Sequence, residues 1–107
     1  MLSIIGVNAQ NLADIEAEAD QKIEHYGFTE AFRNYLTCIE QSKDIDTHIR
    51  IIKKVTKVID EKRIYINKEA LQAIDTLIKK IHPLHGSDCK YYLPLIEKRI
   101  IKTSSQY

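Results

Sequence analysis

Residues 44–63 read DIDTHIRIIKKVTKVIDEKR, and the spacing of their apolar positions decides the fold. At ~100° per residue, Ile45, His48, Ile49, Ile51, Ile52, Val55, Val58 and Ile59 share one broad arc. Arg50, Lys53, Lys54 and Lys57 occupy the opposite arc. The two sets hardly interleave, so the stretch predicts a helix with one face in a core and a basic face in water.

Upstream, Leu12, Ile15, Ala19, Ile23 and Tyr26 recur at helical spacing behind Asn11, a good N-cap. Asp14, Glu16 and Glu18 crowd the first turns, where the helix dipole favours negative charge. Gly27 is expected to supply the left-handed residue that ends this helix, and Thr29 to cap the next. So short a joint predicts an αα-hairpin. The second helix, about Glu30 to Gln41, gathers Ala31, Phe32, Tyr35, Leu36 and Ile39 on one side and brings most of the aromatic volume of the core. Met1 to Gln10 reads as a short apolar lead, because Gly6 and Asn8 oppose a long helix there.

Within that second helix, Ala31, Tyr35 and Cys38 resemble the small, aromatic, small spacing of the second helix of a tetratricopeptide repeat. The match covers about twelve residues. Counted back from Ala31, the first-helix positions hold Glu18, Ala19 and Lys22, and no second copy follows about 34 residues on. The segment is therefore read as an αα-hairpin with similar packing needs.

Downstream of residue 41, Ser42 to Asp44 form a polar connection, and Asp44 or Asp46 caps the third helix. Ile64, Tyr65 and Ile66 have extended character, and Asn67 reads as the next cap. A fourth helix, about Lys68 to Ile81, carries Ala70, Leu71, Ile74, Leu77, Ile78 and Ile81 on one stripe and is expected to stop at Pro83. His82 to Leu93, HPLHGSDCKYYL, breaks the periodicity. The last helix begins at Ser87 with a kink at Pro94, or at Pro94 itself, where proline suits a first turn; an interruption at Pro94 is preferred. Leu95, Ile96, Ile100 and Ile101 form its apolar side, Lys98, Arg99 and Lys102 lie toward its C-terminal end, and Thr103 to Tyr107 should fray. No segment alternates with period two. The expected architecture is all-α: four or five amphipathic helices in antiparallel αα-hairpins, forming one small bundle over residues 1–107.

At 107 residues the chain is long enough for one core without metal or disulfide support. No apolar run could span a bilayer, and MLSIIGV lacks the basic start and cleavage pattern of a signal peptide. The expected compartment is the cytoplasm, with delivery into a host cell left open. Eighteen isoleucines and twelve lysines fit a bacterial or phage origin. Cys38 and Cys89 are the only cysteines, and a disulfide between them is one option beside two free thiols. The net charge of +1 conceals a division. Residues 1–47 hold nine acidic and three basic side chains, and residues 48–107 hold six acidic and thirteen basic ones. Such asymmetry can steer an acidic partner, favour packing within the chain, or align two copies head to tail.

For chemistry, His82, His85, Asp88 and Cys89 offer the ligand types of zinc, but a structural site needs a second ligand pair that would have to come from Cys38 or His25. Cys89 has His85 four residues before it, without an evident oxyanion donor. His25 and His48 read as surface or boundary histidines. Asp14, Glu16, Glu18 and Asp20 alternate around their helix and read as a solvated acidic surface. Arg50, Lys53, Lys54 and Lys57 could meet phosphates, but no short glycine-bearing turn joins helices two and three, and no aromatic platform accompanies the lysines. The preferred expectation is a non-enzymatic, cofactor-free adaptor, inhibitor or regulatory subunit that binds another protein through the acidic side of helix one or through those four basic residues, with homodimerisation as an accompanying possibility. A nucleic-acid-binding regulator and a metal or thiol protein using residues 82–92 are the alternatives.

Overall fold

The computed structural model describes the backbone of residues 2–85 and 92–104, and the side chains of residues 12–82 and 92–100. The described chain forms five α-helices: α1 Leu2–Glu24, α2 Phe28–Gln41, α3 Ile45–Lys62, α4 Lys68–His85 and α5 Leu93–Ser104. A 3₁₀ turn over Arg63–Tyr65 links α3 to α4, and no strand occurs among the described residues. α2 is the hub of an all-α bundle, packing on α1, α4 and α3, while α3 also lies against α5. Hydrogen bonds from Lys22 to Glu30, Asn34 to Glu18 and Cys38 to the Leu12 carbonyl run α1 and α2 in opposite directions.

The stripe that predicted α3 is the one the core uses. Ile51, Ile52, Val55 and Ile59 are completely buried, with Phe32 and Ile39 from α2 and Ile74, Leu77 and Ile81 from α4. Truncating a residue so placed, such as Phe32→Ala, typically costs ~3–5 kcal/mol. Ile45 is the exception at 48% exposed, because the first residue of α3 lies beyond the reach of its neighbours. His48, expected at the surface or its boundary, is buried, and its Nε2–H donates to the Ser42 carbonyl at 2.7 Å. That bond allows a polar ring to sit on the apolar arc.

Several boundaries differ from those expected. α1 begins at Leu2, so the lead joins the helix and Asn11 is not its cap. One glycine costs about 1 kcal/mol relative to alanine, and a helix already nucleated over the following residues adds a hydrogen bond with each residue gained. The left-handed residue is Tyr26, at φ 65°, and Gly27 is instead the N-cap of α2, which starts at Phe28 ahead of Thr29. Gly27 N–H donates to the Lys22 carbonyl at 2.7 Å and Tyr26 N–H to that of Ile23 at 3.1 Å, the paired bonds of a Schellman close. Register decides the matter: the wide bond must come from the residue after the left-handed one, which makes that residue Tyr26.

Residues 63–65 wind into a 3₁₀ turn in place of an extended triplet, and only Ile66 is extended. Asn67 caps α4 as expected, its Oδ1 accepting from Ala70 N–H at 2.9 Å. α4 continues through Pro83 to His85. A proline in the last turn removes a single backbone bond, and few further carbonyls remain there to satisfy. Pro94 falls in the first turn of α5, and Thr103 and Ser104, expected to fray, close that helix. Leu95 is buried, but Ile100 is 58% exposed and does not belong to the core face. Tyr92, just before α5, is almost fully buried and was not expected in the core.

Candidate functional site

Glu16 and Asp20 lie four residues apart on α1 and therefore share a face, as do Arg50 and Lys54 on α3. Arg50 grips Glu16 with two hydrogen bonds, Nε to Oε2 at 2.8 Å and a terminal guanidinium nitrogen to Oε1 at 2.7 Å. Lys54 Nζ donates to Glu16 Oε2 at 2.7 Å and to Asp20 Oδ2 at 2.9 Å. Beneath them the Tyr35 hydroxyl donates to Asp20. The Glu16 side chain is 11% exposed, whereas that of Arg50 is half open to water.

The electrostatics follow this geometry. The hydrogen bond from Arg50 outweighs the penalty of burial and, helped by Lys54, draws the Glu16 carboxyl from 4.5 down to about 2. Burial disfavours the charge on Lys54, but bonds to Glu16 and Asp20 together hold its ammonium more firmly than usual. Burial, reinforced by Asp20, raises the Tyr35 hydroxyl. Cys38 is a free buried thiol pushed up to about 11, chiefly by burial, and so is a poor nucleophile at neutral pH.

The four acidic residues of α1 therefore divide. Asp14 and Glu18 are exposed as expected, while Glu16 and Asp20 belong to the bridge. The four basic residues of α3 divide in the same way. Arg50 and Lys54 are engaged with α1, and Lys53 and Lys57 are exposed with no ion pair among the described residues.

His25 is exposed at the end of α1. His82 Nδ1 and the Tyr92 hydroxyl share a hydrogen bond of 3.0 Å, which couples the end of α4 to the start of α5. The side chain of His85, and Asp88 and Cys89 entirely, lie outside the described residues. Among the described residues no group of three or more His, Cys, Asp or Glu side chains could hold a metal ion.

A different surface forms where the α1/α2 joint and the α3/α4 connection meet. The Tyr26 ring stands edge-on to that of Tyr65, with centroids 4.9 Å apart at 77°, and tilts against Phe28 at 5.5 Å. Lys62 Nζ lies 4.8 Å from the Tyr26 centroid, at cation–π distance. Phe28 is buried and stacks on Phe32, anchoring the group to the core. The outer members are open: Tyr26 is 49%, Tyr65 55% and Ile64 78% exposed. Beside them, Tyr26, Gly27, Phe28, Thr29, Glu30, Tyr65 and Asn67 line a cleft of about 220 Å³.

Two further clefts are present. One of about 230 Å³ runs between α1 and α3 over Tyr35, with Ile23 and Val58 set among charged walls that include Glu24, Lys57 and Glu61. The other, about 410 Å³, lies between α2 and α4 and is largely polar, with Arg33, Glu69, Gln72 and Thr76 in its wall. Neither adds exposed aromatic surface.

The aromatic end escapes a reading based on periodicity because Tyr26 continues the spacing of α1 and Tyr65 sits in an apolar triplet. The usable signal was topological: in successive antiparallel hairpins the first and third connections return to the same end of the bundle. No helix among the described residues is long and apolar enough to cross a membrane. No protein-family model, curated protein sequence or solved structure matches this chain.

Proposed function

We propose that this chain is a non-enzymatic protein-interaction module, an adaptor, inhibitor or regulatory subunit, that docks its partner on the aromatic end formed by Tyr26, Ile64 and Tyr65. The observation that carries the reading is the contact of two half-exposed tyrosine rings across adjoining connections, with buried Phe28 against Tyr26 and largely exposed Ile64 next to Tyr65 in the chain. Aromatic residues on a rigid base are favoured anchors of protein interfaces. Tyr26 holds a left-handed backbone that side-chain-bearing residues seldom adopt, and strain of this kind gathers at binding sites. The basic face of α3 is a weaker docking surface than its sequence suggested, because Arg50 and Lys54 already serve α1. The same loss weakens the nucleic-acid alternative, which is left with Lys53 and Lys57 on that face.

Photo-crosslinking from position 64 tests this reading, with a matched crosslinker at exposed Lys53 and nuclease-treated native lysate. The expected outcome is a discrete protein adduct from position 64 that disappears when Tyr65→Ser is added. Adducts from position 53 alone would overturn the assignment, and nuclease-sensitive capture would favour the nucleic-acid reading.

A further inference from the structure

We infer that the segment received by the aromatic end is a short, proline-bearing stretch of the partner in polyproline II conformation. This rests on the docking role proposed above and adds the chemistry of the occupant. Area is the first argument. Two half-exposed tyrosines and one largely exposed isoleucine offer on the order of 300 Å² of apolar surface, against roughly 450 Å² of apolar area within the ~800 Å² per partner of a stable interface between folded chains. A second copy or a broad domain face would be under-supported, whereas a short segment would not. The cleft of about 220 Å³ is also smaller than the ~300–1,000 Å³ typical of sites that enclose a small molecule.

The second argument is hydrogen-bond complementarity. Asn67 Oδ1 accepts from Ala70 N–H, and the two N–H donors of its Nδ2 remain to offer. The hydroxyls of Thr29 and Tyr65 have no hydrogen-bond partner among the described residues, and each can donate. The carboxylate in the wall, Glu30, is bound by Lys22 at 2.6 Å. The groove therefore presents aromatic surface and a set of N–H and O–H donors, and its one carboxylate is already charge-paired through Oε2 while Oε1 stays open. A polyproline II segment is the matching ligand. Its prolines have no N–H to satisfy, its carbonyls point outward, and its fixed backbone loses little entropy on docking. Tyr26 and Tyr65 pack edge to face, with Lys62 over the Tyr26 ring, and about half of each tyrosine stays open for proline rings to pack on. Pro83 and Pro94 are not such ligands, since they lie within the helices α4 and α5.

Amide chemical-shift mapping of the full chain, titrated with an oligoproline peptide and separately with a glycine-serine peptide of equal length, tests the inference. The expected result is saturable shifts at Gly27, Thr29, Tyr65 and Asn67 with oligoproline alone, and about tenfold weaker binding after Tyr65→Ser. Tyr65→Phe, which keeps the ring and removes the hydroxyl, should fall between the two; circular dichroism checks that each variant is folded. Equal response to both peptides, shifts confined to α3, or no response at millimolar peptide would overturn it. So would concentration-dependent shifts of the same amides without peptide, which would make a second copy the occupant. If position 64 still crosslinks a protein while oligoproline fails, only the occupant is wrong; if both fail, the docking site is wrong as well.

Discussion

The charge bridge and the aromatic end both draw on α1 and the region of α3, yet they leave their side chains in opposite conditions. At the bridge, Arg50, Lys54, Glu16 and Asp20 find one another within the chain. At the aromatic end, Tyr26 and Tyr65 stand together and, with neighbouring Ile64, are left open to water. Charge that looks poised for a partner can thus be consumed by the fold, while apolar residues that look destined for the core are presented outside. If this contrast is right, mutations at the bridge will move stability, and mutations at the aromatic end will move binding.

Between the two regions, the largest change in stability is expected from Glu16→Gln. It removes the carboxylate that two cations share and leaves Arg50 without its partner. Breaking a buried pair costs ~3–5 kcal/mol, and the exposure of Arg50 together with the nearness of Asp20 to Lys54 reduces this to about 2 kcal/mol. Urea unfolding should show a lower midpoint with an unchanged slope. Lys53→Gln, on the same helix but outside the bridge, should stay within ~0.5 kcal/mol. Equal losses from the two variants would erase the distinction between the bridge and the solvated face.

Acid sharpens the same comparison. Because the Glu16 carboxyl is held at about 2 when folded and near 4.5 otherwise, the unfolded chain takes up more protons between those values. The bridge contributes its full stabilisation above pH 4.5 and loses it as pH falls toward 2. The shift corresponds to ~3 kcal/mol at most, lowered by screening at half-exposed Arg50. Thermal melts across this window should show a steeper decline for the parent chain than for Glu16→Gln, and parallel curves would remove the bridge from the acid response.

The comparison also explains how far the sequence can be read. The α3 stripe was legible because Ile51, Ile52, Val55 and Ile59 report on the core through local periodicity alone. The joints between helices were legible from Gly27, Asn67 and the polar residues 42–44. The bridge was not, because Glu16, the partner of Arg50, lies 34 residues upstream and nothing local separates Glu16 and Asp20 from Asp14 and Glu18. The exact turn at Tyr26 was obscured by a glycine one position away, which draws any local reading to itself.

Tyr26→Gly probes the turn with a smaller expected change. Glycine relieves a left-handed backbone worth roughly 1–2 kcal/mol, and it forfeits ring contacts with Phe28 and Tyr65 and the cation–π contact of Lys62. These oppose one another, so unfolding should shift by less than ~1 kcal/mol in either direction. A loss well beyond that would mean that the aromatic group chiefly holds the two connections together and is structural before it is a docking surface.

The smallest change in stability, and the sharpest separation from the bridge, is expected at Ile64. This side chain is 78% exposed, so Ile64→Ser removes little buried area and should alter the unfolding midpoint by no more than ~0.5 kcal/mol. Its effect on partner capture should be large, because it deletes the most open apolar side chain of the group. Paired urea melts and captures of Ile64→Ser and Glu16→Gln would then give crossed results: intact stability with lost binding for the first, and reduced stability with retained binding at a temperature where the variant is folded for the second. A variant at Ile64 that unfolds early and binds normally would reverse the roles assigned to the two regions.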